Sequence, residues 1–141
     1  MERMEKQVVM EKEFEKEFVT YELALRMKQL GFDKPCIKFY WEDGMFLRGY
    51  EEPFNHNKYD TISAPLFQQA FRWFREKHKM VGTVQITVSV IDRENWLWEI
   101  YNLQGRKVDD GQELSDPYNT SCEEAELACL KKLIEIVKEK I

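Results

Sequence analysis

Four groups of side chains in this chain have the types and spacing for chemistry. Trp96 and Trp98 stand two apart, so in a strand they point to one side, with Ile100 after them. That is the geometry of a stacking platform for bases or sugars. It competes with a plainer use: an indole buries about 150–250 Å², and at about 25 cal/mol per Å² the core gains some 4–6 kcal/mol per ring, as an upper bound. The second group is the run Arg72-Trp73-Phe74-Arg75-Glu76-Lys77-His78-Lys79, the one locally basic stretch. Arg72, Arg75 and Lys79 fall on one face of a helix and suit a phosphate backbone, although three cations make a small footprint. The competing reading is an amphipathic helix that shows this side to water and turns Phe67, Ala70, Phe71, Trp73 and Phe74 inward. Phe67, Phe71 and Phe74 share a face that differs from the one carrying Leu66, Ala70 and Trp73, so the helix is apolar on more than one side. An interface with a partner or a second copy would use that surplus.

The third group is the two histidines, His56 and His78, with three cysteines, Cys36, Cys122 and Cys129. Neither histidine has a partner at metal-ligand spacing, and no C-x-x-C pair occurs, so neither a zinc site nor any other metal or cofactor site is expected. An odd number of cysteines argues against a closed disulfide framework. Cys122 and Cys129 lie seven apart in one helix, about 10 Å along its axis, beyond the reach of a disulfide. Reduced, packed thiols follow. A nucleophile built from Cys36 and a histidine stays open, because such partners meet in space rather than in order. An enzymatic reading would need a pocket in which Cys36, His56 or the loop carboxylates Glu51, Glu52 and Asp60 converge; no catalytic residue is assigned. The fourth group, the acidic turns at Asp43 and Asp109-Asp110, has the oxygens for a hard cation, but Asp-Gly pairs serve chiefly as turns.

The 141 residues suit one domain, and 43% apolar with 33% charged residues is a globular composition. A net charge of −5 lacks the positive excess of non-specific nucleic-acid binders. With no apolar run of secretory or membrane-spanning length, the expected compartment is the cytoplasm.

The elements that must position these groups follow from periodicity and turn chemistry. Residues 1–18, rich in Glu and Lys, read as a charged helix or tail, and 19–141 as a single α+β domain. Thr20 is placed to cap a helix over 21–30 that stops at Gly31. Residues 36–41 and 45–50 read as a hairpin around Glu42-Asp43-Gly44. The string 51–62 has turn residues and no period, and a loop of that length is often mobile or functional. Ser63, before Ala64-Pro65, reads as the N-cap of a helix reaching about Lys79. Residues 83–91 alternate, with Val84, Ile86, Val88 and Val90 on one face, and turn at 92–95 into a partner strand at 96–101. Residues 102–119 read as turns with a short edge strand at 106–108, and Ser121 with Glu124 forms a capping box opening a largely buried helix over 122–140. The expected architecture is an antiparallel sheet of about four strands, two hairpins, packed with three helices in the order α-ββ-α-ββ-α.

Three stretches, TYELALRMKQLGF at 20–32, APLFQQAFRWFREKH at 64–78 and YNTSCEEAELACLKKLIEIV at 118–137, together resemble a family of small uncharacterised proteins of Bacteroides-type phages and mobile elements. The last stretch is also similar to small phage α/β sandwich domains. The resemblance implies a phage or mobile-element setting and an α/β sandwich, and it carries over no catalytic residue. The resulting expectation is a non-enzymatic accessory protein acting through protein–protein interaction or self-association. The second reading is a small nucleic-acid-binding module using the basic-aromatic helix at 72–79.

Overall fold

The computed structural model describes residues 15–44, 46–47, 52–88, 94–111 and 121–140. The fold is α+β: among the described residues there are three helices and six antiparallel strands, the strands divided between two three-stranded sheets where about four in one sheet were expected. The chain divides into two compact units, Met1–Phe67 and Gln68–Ile141, each described by itself. No helix among the described residues is long and apolar enough to cross a membrane. Of the elements expected from sequence, most of the 1–18 segment, much of the second strand of the first hairpin, the turn at 92–93 and the turns at 112–119 lie outside the described residues.

In the first unit, helix α1 (Tyr21–Gln29) buries Leu23, Ala24 and Met27. Thr20 occupies the N-cap position with extended backbone, but its side chain makes no capping bond. The other end closes as the sequence implies. Gly31 takes φ +94°, its N–H donates to Lys28 O (3.0 Å) and that of Phe32 donates to Met27 O (3.0 Å), the paired bonds of a Schellman stop. Strands β1 (Lys38–Tyr40), β2 (Phe46–Leu47) and β3 (Ile62–Ala64) form an antiparallel sheet in the order β2-β1-β3, with Phe39 opposite both Leu47 and Ser63. Phe18 and Val19 are buried with them. Phe18 pairs in a bridge with Leu66, and the Tyr40 hydroxyl donates to Val19 O at 2.8 Å, so Phe18 belongs to the core and not to a charged tail.

Ser63 is not a helix cap. Residues Ile62–Ala64 are fully buried and pair with β1, and helix α2 begins only at Phe67 (Phe67–His78). The reason is local competition. Ser63 N–H donates to Asn57 Oδ1 (2.8 Å) and Ser63 Oγ accepts from His56 N–H (3.0 Å), so both groups that would have served a helix start are taken.

In the second unit, β4 (Met80–Val88), β5 (Glu94–Asn102) and β6 (Lys107–Asp110) form the sheet β4-β5-β6, in register from Met80↔Asn102 to Val88↔Glu94, with an irregularity at Ile100/Tyr101. Met80, Gly82 and Val84 stand opposite Asn102, Ile100 and Trp98, which puts the even residues of both strands on one face. Helix α3 (Cys122–Lys140) packs on that face. Its Ser121 Oγ accepts from Glu124 N–H at 3.1 Å, the cap its sequence calls for, and Ala125, Cys129, Leu130, Leu133, Ile134 and Val137 are buried. At Gly82 the sheet meets both helices of the unit tightly: a Cβ there would lie 2.9 Å from Cys129 Sγ on α3 and from the Phe71 ring on α2. Farther along, Ile86 is 55% exposed, so the apolar alternation of β4 outlasts the core beneath it.

Candidate functional site

The first unit carries an open cleft of about 860 Å³, lined by Phe39, Trp41, Glu52, Pro53, Phe54, His56, Tyr59 and Thr61. Two segments build it: the end of β1 and the irregular stretch 52–61. Period-2 geometry puts Phe39 and Trp41 on one side of the chain, and their rings meet edge to face, with centroids 5.7 Å apart at 84°. From the other segment, Phe54 and Tyr59 stack at 5.8 Å and 18°. His56 joins the two pairs, lying 4.3 Å from Phe39 in a stacked arrangement and 5.2 Å from Phe54 edge-on.

The irregular segment is held by individual bonds. Cys36 and Phe54 exchange backbone hydrogen bonds in both directions, Cys36 N–H to Phe54 O at 2.9 Å and Phe54 N–H to Cys36 O at 3.0 Å. Asn57 works in two directions, its Nδ2 donating to Phe32 O (2.9 Å) and its Oδ1 accepting from Ser63 N–H (2.8 Å). Thr61 Oγ1 donates to His56 O (2.9 Å). Lys28, on α1, donates through Nζ to Tyr59 O (2.8 Å) and Thr61 O (2.9 Å), so its cation is spent on turn carbonyls. A single 3-10 turn at His56–Lys58 results, with Asn55 Oδ1 accepting from Asn57 N–H at its start.

On this fixed frame three large rings face water: Trp41 is 48% exposed, Phe54 39% and Tyr59 63%. His56 at the floor is buried, and that burial lowers its pKa, partly offset by a hydrogen bond with the Cys36 backbone, so it is neutral at pH 7. Among the described residues Glu52 is the one carboxylate of the lining, and none of them that lines the cleft is a lysine or arginine.

The residues singled out by sequence fall elsewhere. Trp98 is 4% exposed, its indole edge against Gly111, and Trp96 is half-buried, so the pair is no open platform. Arg72 and Arg75 are exposed on α2, but the helix ends at His78 and Lys79 lies beyond it in left-handed backbone (φ 58°), its Nζ donating to Glu76 O at 2.8 Å. The three cations therefore do not share a helical face. Of the suggested interface, Phe74 is fully buried, and Phe67 and Phe71 are half-buried, Phe71 packing over Gly82. Burial pushes the Cys36 and Cys129 thiols up to about 12 and Cys122 to about 11, far from the thiolate a nucleophile needs. Cys36 does lie near His56, but as backbone partner and not as an ion pair. Glu52 lines the cleft and Asp60 borders a separate small hollow with Tyr21 and Lys28; Glu51 lies outside the described residues. Among the described residues no three His, Cys, Asp or Glu side chains gather as a metal site.

The cleft was missed because its rings come from segments with no shared period. One signal was legible: Phe39 and Trp41 alternate as Trp96 and Trp98 do, beside a loop rich in Pro, Asn and aromatic residues. No family model, curated protein or solved structure matches the chain.

Proposed function

We propose that the chain is a non-enzymatic binding module that takes a protein partner in the aromatic cleft of its first unit. One observation carries this reading: Phe54 and Tyr59 expose their rings from a segment pinned by Lys28, Asn57 and Ser63, and Trp41, whose carbonyl accepts from Gly44 N–H, exposes its ring from the end of β1 into the same cleft. Exposed apolar surface of this size, held rigid, costs nothing further in ordering when a partner covers it, and aromatic anchors dominate binding energy at protein interfaces. The resemblance of 20–32, 64–78 and 118–137 to phage and mobile-element proteins supports an accessory role in that setting. Nucleic acid fits the cleft less well, since a phosphate backbone would meet Glu52 and no cation among the described lining residues, and the aromatics of the basic helix, Trp73 and Phe74, are buried and cannot stack on bases.

The test is selection of a random peptide library on the full chain, with the Trp41→Ala/Tyr59→Ala variant as counter-target. The expected result is a peptide family captured by the native chain and bound at least about 30-fold more weakly by the variant, as loss of a hot-spot ring implies. Equal capture by both, or salt-sensitive binding of a single-stranded oligonucleotide tighter than any selected peptide, would overturn the reading.

A further inference from the structure

The chemistry of the cleft narrows what its occupant brings, and this step rests on the binding role just described. The Phe39/Trp41 pair and the Phe54/Tyr59 pair form two aromatic walls meeting at His56, and the ring faces carry the negative lobe of the aromatic quadrupole. Among the described residues Glu52 adds the one full charge of the lining, and it is negative. An anionic group would be repelled by both features. A purely apolar occupant would strip water from Glu52 and return no partner for its charge. A cation on an apolar stem satisfies both at once, through cation–π attraction to the rings and an ion pair at the rim. The volume, about 860 Å³, exceeds what one ammonium group fills and leaves room for the peptide that carries it.

We infer that the cleft seats a lysine side chain of the protein partner, its ammonium group among Trp41, Phe54 and Tyr59 and against Glu52. Lysine suits this arrangement as a compact charge on a flexible four-carbon stem, which reaches past a rim and needs no planar fork of acceptors. With the His56 pKa lowered by burial, the described residues of the lining present no competing positive charge.

The experiment follows the indole N–H resonance of Trp41, assigned with Trp41→Phe, while the full-length chain is titrated with four probes. These are a capped Gly-Ser heptapeptide with one central lysine, the same peptide with trimethyllysine, the same peptide with a neutral tert-butyl isostere of that side chain, and free choline. Both cationic peptides are expected to move the resonance at least about tenfold more tightly than the neutral isostere, with Glu52→Gln weakening them about three- to tenfold and leaving the isostere unchanged. Glu52 is exposed, so the Gln variant is expected to keep the fold, which an unchanged melting temperature checks. If the isostere binds as tightly as the cations, the lysine assignment fails while the cleft remains a peptide site. If choline binds more tightly than either cationic peptide, the occupant is a small amine and the protein-lysine assignment fails. If none of the four binds but library peptides do, the assignment also fails. Absence of both kinds of binding removes the binding role as well.

Discussion

In residues 68–141 a hairpin of two nine-residue strands lies under a 19-residue helix, and burial follows spacing: Met80 on β4, Trp98 and Ile100 on β5, and Ala125, Cys129, Leu133 and Val137 with Leu130 and Ile134 on α3. Among the described residues of the first unit no strand exceeds three residues, and the shape between β1 and β3 depends on bonds from Lys28, Asn55, Asn57, Thr61 and Ser63 to nearby backbone. One unit distributes its stability over many equivalent apolar contacts. The other buries an apolar core of its own, from Leu23 and Met27 to Phe39 and Ile62, and adds directed bonds that fix the irregular segment carrying Phe54 and Tyr59. A region built the second way can hold a Trp or Tyr out in water at a fixed angle, which regular packing tends to draw inward, as it does with Trp98.

The largest expected effect is at the centre of the regular unit. Leu133 is fully buried, and Leu133→Ala is expected to lower stability by about 2–5 kcal/mol, the cost of lost transfer energy plus a residual cavity. Urea melts measure it, and a loss under 1 kcal/mol would mean that α3 does not anchor this unit. Next comes Asn57→Ala, which removes the bonds to Phe32 O and Ser63 N–H together and is expected to cost about 2–3 kcal/mol. The informative part is where the loss appears. Amide exchange is expected to quicken at Ser63 and Phe54 while the β4–β5 ladder keeps its protection, and peptide capture by the cleft falls with it. Equal quickening in both places would break the contrast between distributed and directed stability.

That contrast also explains how much could be seen in the sequence. Ser121, Glu124 and the apolar spacing to Val137 mark α3 from cap to end because every signal involved is local. The β4 alternation was equally plain, and only the height of the core, ending before Ile86, was hidden. β3 was invisible for the opposite reason. Ile62-Ser63-Ala64 is too short to show a period, and Ser63 before Ala64-Pro65 imitates a helix cap. What decides between cap and strand is Asn57, whose own choice depends on Phe32 O, 25 residues earlier in the chain. The cleft inherits the same difficulty. Phe39 and Trp41 could be placed on one strand face, but Phe54 and Tyr59 meet them only through the Cys36–Phe54 bridge and the Lys28 bonds, which no spacing rule reports.

Acid separates the units more gently. Burial lowers the His56 pKa in the first unit, and burial with Lys77 and Lys140 lowers that of His78 in the second, where its ring meets Trp73 edge-on at 4.8 Å. In each case the unfolded chain binds the proton first as pH falls, so folding is favoured fully above the unfolded value near 6.5 and loses ground as pH drops through the window beneath it. Thermal melts from pH 7.5 to 5 are expected to show falling stability, with His78→Leu flattening the second unit's share and leaving that of His56. A melting temperature that rises over this range would reverse the assignment of both rings as neutral and buried.

The smallest effect lies at the end of α2, and it tests whether the second unit is as regular as its long elements imply. Lys79 joins α2 to β4 in left-handed backbone, a conformation that costs an L-residue about 1–2 kcal/mol and a glycine almost nothing. Replacing it with glycine relieves that strain, gives up the Nζ bond to Glu76 O and loosens the unfolded chain, so the net gain expected is about 0.5 kcal/mol, or about 2 °C in melting temperature. Lys79→Ala removes the same side-chain bond without relieving the backbone and is expected to lose stability slightly. A gain with both variants would trace the effect to the lysine charge beside Arg75 and Lys77, whereas a gain with glycine alone locates it in the turn that lets the helix reverse directly into a nine-residue strand.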